Sequence, residues 1–319
     1  MAEESHPAYL SPSELGTKDY WESYYARTLA HISHEAPNND PNANNNSDQN
    51  DDDAASTTSD LNEEDDPGTS WFSEHNAPQK VLHFLTRKSF PLSPRNTVHK
   101  KGSRQPSEEG GYKGRLVGVD YSRQSVELAR ELQRVKGHSA YRSDSEDEDE
   151  SDDEEEAEVE AETEVEAGSN DLPEQETSIQ FEEWDILGSK ALLSETGLEV
   201  SPSSSSEETL PWFPYQEGGF DIVLDKGTFD AVSLSDDAKT TRVCERYPDI
   251  ARRLVRRGGF LIVTTCNWTE EELVHWFTGD RTSGDRLAVW GRVEYPRFRF
   301  GGHEGQGVCT VCFQRLGDA

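Results

Sequence analysis

The chain has 319 residues, of which 64 are acidic and 31 are basic, so its formal net charge is −33. A charge this negative repels phosphate backbones, and we therefore exclude a protein that coats nucleic acid. Hydrophobic residues make up only 32% of the chain, below the roughly 45–50% of ordinary globular proteins. One compact core cannot include the whole chain, which leaves either general disorder or a folded domain interrupted by acidic inserts.

Two segments, residues 35–67 and residues 143–176, carry nearly all of the net charge. The first contains 11 acids and the second 19, and neither contains a lysine or an arginine. Because like charges at this density cannot bury enough apolar surface to offset the entropy of ordering, we predict that both are disordered inserts. The rest then forms one domain: an N-terminal helical segment over 1–34, a first part over 68–142 and a second part over 177–319.

The compartment is predicted from three further features of the sequence. The N-terminus has neither the basic nor the apolar region of a secretory signal, and no apolar run approaches the about 18 residues that span a bilayer. Four cysteines in a chain of this length do not form a disulfide framework. We therefore expect a protein of the cytoplasm, also compatible with the nucleus, that binds no membrane. Cys309 and Cys312 would point to opposite faces of a strand, so we predict no metal site there.

Apolar periodicity places the first elements of the domain. It predicts amphipathic helices over residues 18–29 and 77–88, followed by a buried strand over 115–120. Ser122 is placed to cap a third helix, which Gly137 ends.

Strands and helices alternate after the second insert. We predict strands over residues 179–181, 219–224, 260–265, 291–295 and 308–316, and helices over residues 242–257 and from 269 onward. The arginines and glycines at 256–259 suit the C-terminal end of the first of these helices. Such alternation predicts the α/β class, as a sandwich with a mainly parallel sheet.

Three of the predicted strands end in an acid, at Asp120, Asp185 and Asp225. Ligands of open parallel sheets bind beyond the carboxyl ends of the strands. A carboxylate after the second strand can accept from both hydroxyls of a ribose, and one after the next strand can accept from the adenine amine. Each acid alone could equally be a turn or cap residue, but three acids at equivalent positions are a more specific signal of a ligand site.

Six motifs carry a resemblance to a known family. In chain order they are Gly16-Thr17 with Trp21, Trp71-Phe72, Gly118-Val119-Asp120-Tyr121-Ser122, Asp225-Lys226-Gly227-Thr228-Phe229-Asp230-Ala231, Thr265-Cys266-Asn267-Trp268-Thr269, and Phe298-Arg299-Phe300-Gly301-Gly302. Together they resemble the class I, seven-β-strand methyltransferases that modify a lysine of translation elongation factor 1-alpha. The match covers nearly all of the chain outside the acidic inserts.

The resemblance implies a Rossmann-like methyltransferase sandwich, with S-adenosylmethionine as methyl donor and a lysine of the elongation factor as acceptor. By position it implies that Asp120 holds the ribose and Asp185 faces the adenine, with Tyr121 and Trp184 as further cofactor-binding residues. Asp225, the candidate catalytic residue, would lie near the methyl group and the incoming amine. We expect the protein to be a monomer.

Aromatic side chains that follow the last strands are candidates for the lysine channel. Trp268, Phe298 and Phe300 could line it, since aromatic faces favour a cationic sulfonium or ammonium. Ordinary core packing is the more frequent role for such residues.

One part of the family's pattern is not found: a first strand followed by a glycine-rich loop. Only residues 89–114 lie between the second helix and the strand at 115, and Pro91, Pro94 and Pro106 interrupt them. We therefore predict that the first strand, which is central in the family's sheet, is absent, and that S-adenosylmethionine binds weakly or not at all. Two functions stay open: a protein-lysine methyltransferase, or a catalytically impaired, methyltransferase-like interaction protein (or a mis-spliced gene model).

Overall fold

The computed structural model describes residues 7–35, 72, 74–99, 114–135, 178–204, 206–235, 243–279, 284–300, 303–305 and 307–317. Apart from residue 35, both acidic inserts lie outside these ranges, so their disorder stays a prediction. The predicted absence of a first strand also falls partly on residues that are not described, namely 100–113.

The described residues form six α-helices and eight strands. The helices are α1 (Lys18–Glu35), α2 (Ala77–Thr86), α3 (Arg123–Val135), α4 (Thr228–Ser233), α5 (Val243–Leu254) and α6 (Glu270–Thr278). The strands are β1 (Leu116–Asp120), β2 (Ile179–Glu183), β3 (Phe220–Lys226), β4 (Val255–Thr265), β5 (Arg286–Val293), β6 (Phe298–Phe300), β7 (His303–Gly305) and β8 (Cys309–Leu316). The predicted α/β class is confirmed. Among the described helices, none is long and apolar enough to cross a membrane.

The main strands form two sheets rather than one. The larger sheet has the order β3–β4–β8–β5, in which β3 and β4 are parallel while β8 runs antiparallel to both of its neighbours. The smaller sheet is the parallel pair β1–β2, with Asp120 level with Glu183. The strands β6 and β7 form a separate antiparallel hairpin. The parallel pairs are those whose carboxyl ends bear the predicted acids.

Strands β1 and β3, which belong to different sheets, carry exposed apolar side chains. Leu116 and Val119 of β1 are 41% and 42% exposed, and Leu224 of β3 is 58% exposed. Val117 and Val223 nevertheless pack against the same apolar cluster around Trp184 and Trp212, so the two strands flank one core. Among the described residues, no strand pairs with the free edge of β1 or of β3.

The core of the larger sheet follows the two-residue period of a strand. Leu261 and Val263 of β4 join the cluster around Phe229, whereas Phe260 and Ile262 join the cluster on the opposite face. The two cysteines of β8 divide in the same way, since Cys309 belongs to the first cluster and Cys312 to the second. Their thiols therefore face opposite sides of the sheet, as the spacing predicts.

Helix α6 begins as its sequence predicts. The Thr269 side chain accepts a hydrogen bond from the Glu272 backbone N–H, and the Glu272 carboxylate accepts one from the Thr269 backbone in return. This capping box satisfies two N–H groups that the helix itself leaves without an acceptor.

Replacing Thr269 with alanine should lower the free energy of unfolding by about 1 kcal/mol, because an N-cap oxygen is lost. Chemical denaturation measures this, with Thr269→Ser as the matched control that keeps the hydroxyl. Equal stability of the alanine and serine variants would contradict the capping role.

The prediction that residues 256–257 close a helix is wrong. Helix α5 ends at Leu254, and Val255 already belongs to β4, where it pairs with Phe220. The glycines serve the strand rather than a helix cap. A Cβ atom at Gly259 would lie 2.7 Å from a backbone carbonyl oxygen of β3, so only glycine allows this close approach of the two strands.

Other differences concern short elements that periodicity does not detect. The strand predicted over 291–295 runs instead over Arg286–Val293, with an irregular register between Val289 and Gly291. Helix α4 and the hairpin of β6 and β7 were not predicted at all. Each has too few residues to establish a period.

Candidate functional site

A cleft lies at the carboxyl ends of β1, β2 and β3. The residues that line it include Leu15, Gly16, Trp21 and Tyr25 from the N-terminal segment, Phe72, Asp120, Tyr121, Asp185–Leu187, Lys226–Thr228, Asp230, Cys266 and Asn267. The cleft is where the strand-end argument predicts a ligand. It brings together Asp120, Tyr121 and Asp185 from the predicted site, whereas Trp184, Asp225 and Trp268 are not among its lining residues.

The Asp120 carboxylate is held in a fixed orientation by the start of α3. One oxygen accepts the Ser122 N–H at 2.7 Å, and the other accepts the Ser125 hydroxyl at 2.9 Å. Burial raises the pKa of this carboxyl, although both hydrogen bonds oppose the shift. Each oxygen accepts one bond and retains a lone pair for a ligand hydroxyl.

Tyr121 fastens the N-terminal segment to the turn after β1. Its hydroxyl donates to the Thr17 carbonyl at 3.2 Å, and the Lys18 ammonium lies 5.9 Å from the centre of its ring. Burial, with the neighbouring Asp120 charge, raises the pKa of this phenol above its ordinary value. Tyr121 therefore remains protonated at neutral pH and able to donate.

Asp185 and Trp184 lie side by side but face different environments. Asp185 is exposed, and one of its oxygens accepts the N–H groups of Leu187 and Gly188, each at 3.0 Å. Its second oxygen accepts no hydrogen bond from the described residues and can take a ligand donor. Trp184 is buried instead, with its ring edge-on to Trp212 at 5.2 Å.

Asp225 lies beneath the cleft rather than in its wall. It is 4% exposed, and it accepts the Thr228 N–H at 2.8 Å, the Phe229 N–H at 3.4 Å and the Tyr247 hydroxyl at 2.7 Å. Burial raises the pKa of this carboxyl to about 6. These contacts are those of a helix cap, since they satisfy the first N–H groups of α4.

The turn that Asp225 supports forms one wall of the cleft. Gly227 has φ of +80°, a conformation that favours glycine. The Phe72 ring covers this turn, because a Cβ atom at Gly227 would lie only 3.0 Å from ring atom Cε2. Phe72 and Gly227 belong to two of the sequence motifs, but no local pattern predicts that they lie against each other.

Asp230 is a further acid of the cleft, and strand-end reasoning missed it because it lies within α4. It is 6% exposed, and it accepts the Thr265 hydroxyl and, at 3.0 Å, the Cys266 N–H. Burial raises the pKa of its carboxyl. Its hydrogen bonds fix the loop after β4, including Asn267, at the edge of the cleft.

Helix α1 is attached to the site through Glu22. The Glu22 carboxylate accepts the N–H groups of Arg123 at 3.0 Å and of Gln124 at 3.3 Å, so it caps α3 from another helix. A carboxylate at this end of α3 also interacts favourably with the positive end of the helix dipole. The sequence gives no sign of this contact, because about a hundred residues separate the partners.

Replacing Glu22 with alanine should lower the free energy of unfolding by about 1 kcal/mol, because α3 loses its acceptor. Chemical denaturation measures the change, with Glu22→Gln as the variant that keeps an acceptor oxygen. Glutamine should recover part of the loss. If neither variant changes the free energy of unfolding, Glu22 does not stabilise α3 as a cap.

The three aromatic candidates for the lysine channel have different surroundings. Trp268 is 4% exposed, stacks against Phe229 at 5.9 Å and donates from its indole to the Ser233 hydroxyl at 3.3 Å. It is therefore a core residue, which is the more frequent role of such aromatic side chains. Phe298 and Phe300 belong to β6, but their side chains are outside the description, so their proposed role stays a prediction.

Comparison with known proteins agrees with this architecture. The protein-lysine N-methyltransferase EFM4 of Saccharomyces cerevisiae is 27% identical over 315 residues, which is 96% of each chain. Over nearly its whole length, the chain is thus similar to a protein-lysine N-methyltransferase. The protein-lysine N-methyltransferase efm4 of Schizosaccharomyces pombe is 25% identical over 307 residues, covering 96% of this chain and 95% of that protein. The predicted resemblance is therefore confirmed.

A shorter match extends the set of related methyltransferases. The EEF1A lysine methyltransferase 2 of Homo sapiens is 36% identical over 101 residues, covering 32% of this chain and 40% of the human protein. No family model matches the chain. The similarity over nearly the whole chain thus comes from the two yeast proteins.

Proposed function

We propose that this chain is an S-adenosylmethionine-dependent protein-lysine N-methyltransferase whose protein substrate is translation elongation factor 1-alpha. The observation that carries the proposal is the similarity to a protein-lysine N-methyltransferase over 96% of both chains. The cleft supports it, because acids lie at the carboxyl ends of β1 and β2, where a nucleoside ligand of such a sheet binds.

The donor set of the cleft suits the nucleoside part of the cofactor. Asp120 would accept from the two ribose hydroxyls, and the second oxygen of Asp185 would accept from the adenine amine. Tyr121 would contribute through its place beside Asp120, and Trp184 by supporting Asp185 from the core. When bound, S-adenosylmethionine supplies an electrophilic methyl group on a positively charged sulfur.

The protein's own part in the reaction is to orient and desolvate. The lysine must arrive neutral, and a partly apolar cleft favours its uncharged form. Asp225 acts as a positioning residue, because it holds the Lys226–Thr228 turn and does not line the cleft. Fixing the acceptor nitrogen in line with the methyl group then accounts for most of the rate. Phe298 and Phe300 remain proposed contacts of the protein substrate.

A second candidate function is a methyltransferase-like interaction protein without catalysis. The observation that favours it is the separation of β1–β2 from the larger sheet, with Leu116, Val119 and Leu224 exposed between them. A strand between β1 and β3 would join the two sheets and form the floor of the cofactor site. We therefore expect cofactor affinity below that of an intact sheet.

Calorimetric titration of S-adenosylmethionine into the purified chain separates the two candidates. Saturable binding, weakened when Asp120 is replaced with asparagine, supports the enzyme. No heat up to millimolar cofactor, from a chain that still binds elongation factor 1-alpha, supports the interaction protein. Micromolar binding would contradict the expected loss of affinity.

A further inference from the structure

One side of the cleft is aromatic, and its rings are held in place by defined contacts. Trp21 and Tyr25 of α1 lie nearly parallel, with ring centres 5.8 Å apart and an interplanar angle of 28°. The Trp21 indole N–H donates to the Leu15 carbonyl at 2.7 Å. The indole edge is thereby fixed by the segment that leads into α1.

Phe72 is a third aromatic residue that lines the cleft, and it lies against the Lys226–Thr228 turn. Its ring lies over Gly227, since a Cβ atom built at Gly227 would lie only 3.0 Å from ring atom Cε2. Phe72 also packs against the small core cluster of Ala77, Tyr295 and Val308. The ring is therefore anchored in the domain, while Trp21 and Tyr25 come from the N-terminal helix.

The charges of the cleft favour a cation. Asp120, Asp185 and Asp230 line it, whereas Lys226 is the one basic residue among its described lining residues. Aromatic faces carry negative quadrupole charge, and they attract cations most strongly where water is excluded. An onium ion, in which methyl or methylene groups surround the charge, has less hydration to lose than a primary ammonium does.

We propose that Trp21, Tyr25 and Phe72 form an aromatic wall that binds an onium cation, either the sulfonium of the methyl donor or the ammonium of a methylated lysine. The inference rests on the proposed function for the identity of these two cations. It goes beyond it by assigning three residues of the cleft to charge recognition, two of them from a helix that packs against the domain.

The same helix offers a matched control. Tyr24 is adjacent to Tyr25 in sequence and packs against it edge-on at 5.3 Å, but it does not line the cleft. Replacing Tyr24 should disturb the aromatic cluster of α1 as much as replacing Tyr25 does. Only the Tyr25 variant should lose affinity for a charged ligand.

Two titrations on the full chain test the wall, each with a charged ligand and an uncharged analogue. The sulfonium arm compares S-adenosylmethionine with S-adenosylhomocysteine. The ammonium arm compares N-acetyl-trimethyllysine amide with its analogue in which a tert-butyl group replaces the trimethylammonium. Nuclear magnetic resonance of the Trp21 indole N–H, assigned with the Trp21→Phe variant, follows binding without any need for catalysis.

The expected result is a preference for the charged ligand in at least one arm. Tyr25→Leu and Phe72→Leu should each reduce that preference by about threefold to tenfold, while Tyr25→Phe and Tyr24→Leu should leave it within about twofold. The arm that responds identifies the cation that the wall binds. Since each variant is compared through a ratio of two ligands, a general loss of folding cancels.

Two outcomes would overturn the inference. One is equal affinity for the charged and uncharged ligands in both arms, and the other is no binding of either pair. Failure of the proposed function has a different signature. In that case the adenosyl ligands do not bind, whereas trimethyllysine still shifts the Trp21 signal and still depends on Tyr25.

Discussion

Asparagine in place of Asp225 is expected to raise the free energy of unfolding at neutral pH by up to about 3 kcal/mol. The pKa of this carboxyl is raised from 3.8 to about 6 by burial, and each pH unit of such a shift corresponds to about 1.4 kcal/mol. Asparagine keeps an acceptor for the Thr228 N–H and has no charge to bury. The wild-type chain, by contrast, buries a charge above pH 6.

The sign of the pH dependence follows from the same shift. Because the folded pKa lies above the unfolded one, folding takes up a proton between about pH 4 and about pH 6. The contribution of Asp225 to stability therefore increases as the pH falls through this window. The advantage of Asp225→Asn should accordingly vanish near pH 4.

Chemical denaturation at pH 7 and pH 4 measures both effects, with Asp225→Ala as the third variant. Alanine removes the acceptor of the buried Tyr247 hydroxyl as well, so it should be less stable than asparagine by about 2 kcal/mol at either pH. Methyl transfer should survive in Asp225→Asn if the residue only positions the turn. An inactive but stable asparagine variant would instead make Asp225 a catalytic residue.

Valine in place of Gly16 is expected to detach the N-terminal segment from the cleft. A Cβ atom there would lie 2.2 Å from the carbonyl carbon and oxygen of Leu234 and 2.4 Å from the Ser235 nitrogen. All three are backbone atoms, which cannot rotate away as a side chain can. The hydrogen bond from the Ser13 N–H to the Leu234 carbonyl, 3.0 Å long, should also be lost.

The consequence should be a loss of ligand affinity of at least about tenfold, since Trp21 and Tyr25 leave the cleft together. Limited proteolysis should cut the variant within residues 7–35, and calorimetry should report the weakened binding of S-adenosylmethionine. Gly114→Val is the matched control, because a Cβ atom at Gly114 meets nothing within 4 Å. Unchanged protection of the segment in Gly16→Val would contradict its proposed docking.

Features that depend on neighbouring residues were predictable from the sequence. The amphipathic periods of α2 and α3, the capping box at Thr269 and the apolar strands β4 and β8 all follow from local patterns. The placement of Asp120 and Asp185 in one cleft also followed, because parallel strands end at a common edge.

Features that depend on distant contacts were not predictable. Glu22 caps a helix that lies about a hundred residues away, and Phe72 covers a glycine turn from beyond the first insert. The boundary between α5 and β4 was misplaced, because arginines followed by glycines are typical of a helix end. Here the pairing of Val255 with Phe220 takes precedence over that local preference.

Asp225 illustrates why the position of an acid alone does not fix its role. It ends β3 as Asp120 ends β1, yet the turn after it bends back so that its carboxylate caps α4. Asp230, five residues further along the chain, lines the cleft in its place. A pattern of strand-end acids cannot distinguish these two arrangements.

The most direct test is methyl transfer to translation elongation factor 1-alpha by the purified full chain. Recombinant elongation factor is incubated with the chain and S-adenosylmethionine at saturating cofactor, and its lysines are then mapped by mass spectrometry. We predict that a lysine becomes methylated. This methylation should be lost with the Asp120→Ala variant and retained with the Gly114→Val control. Elongation factor that stays unmodified at every cofactor concentration, while it still binds the chain, would contradict the assignment as a methyltransferase.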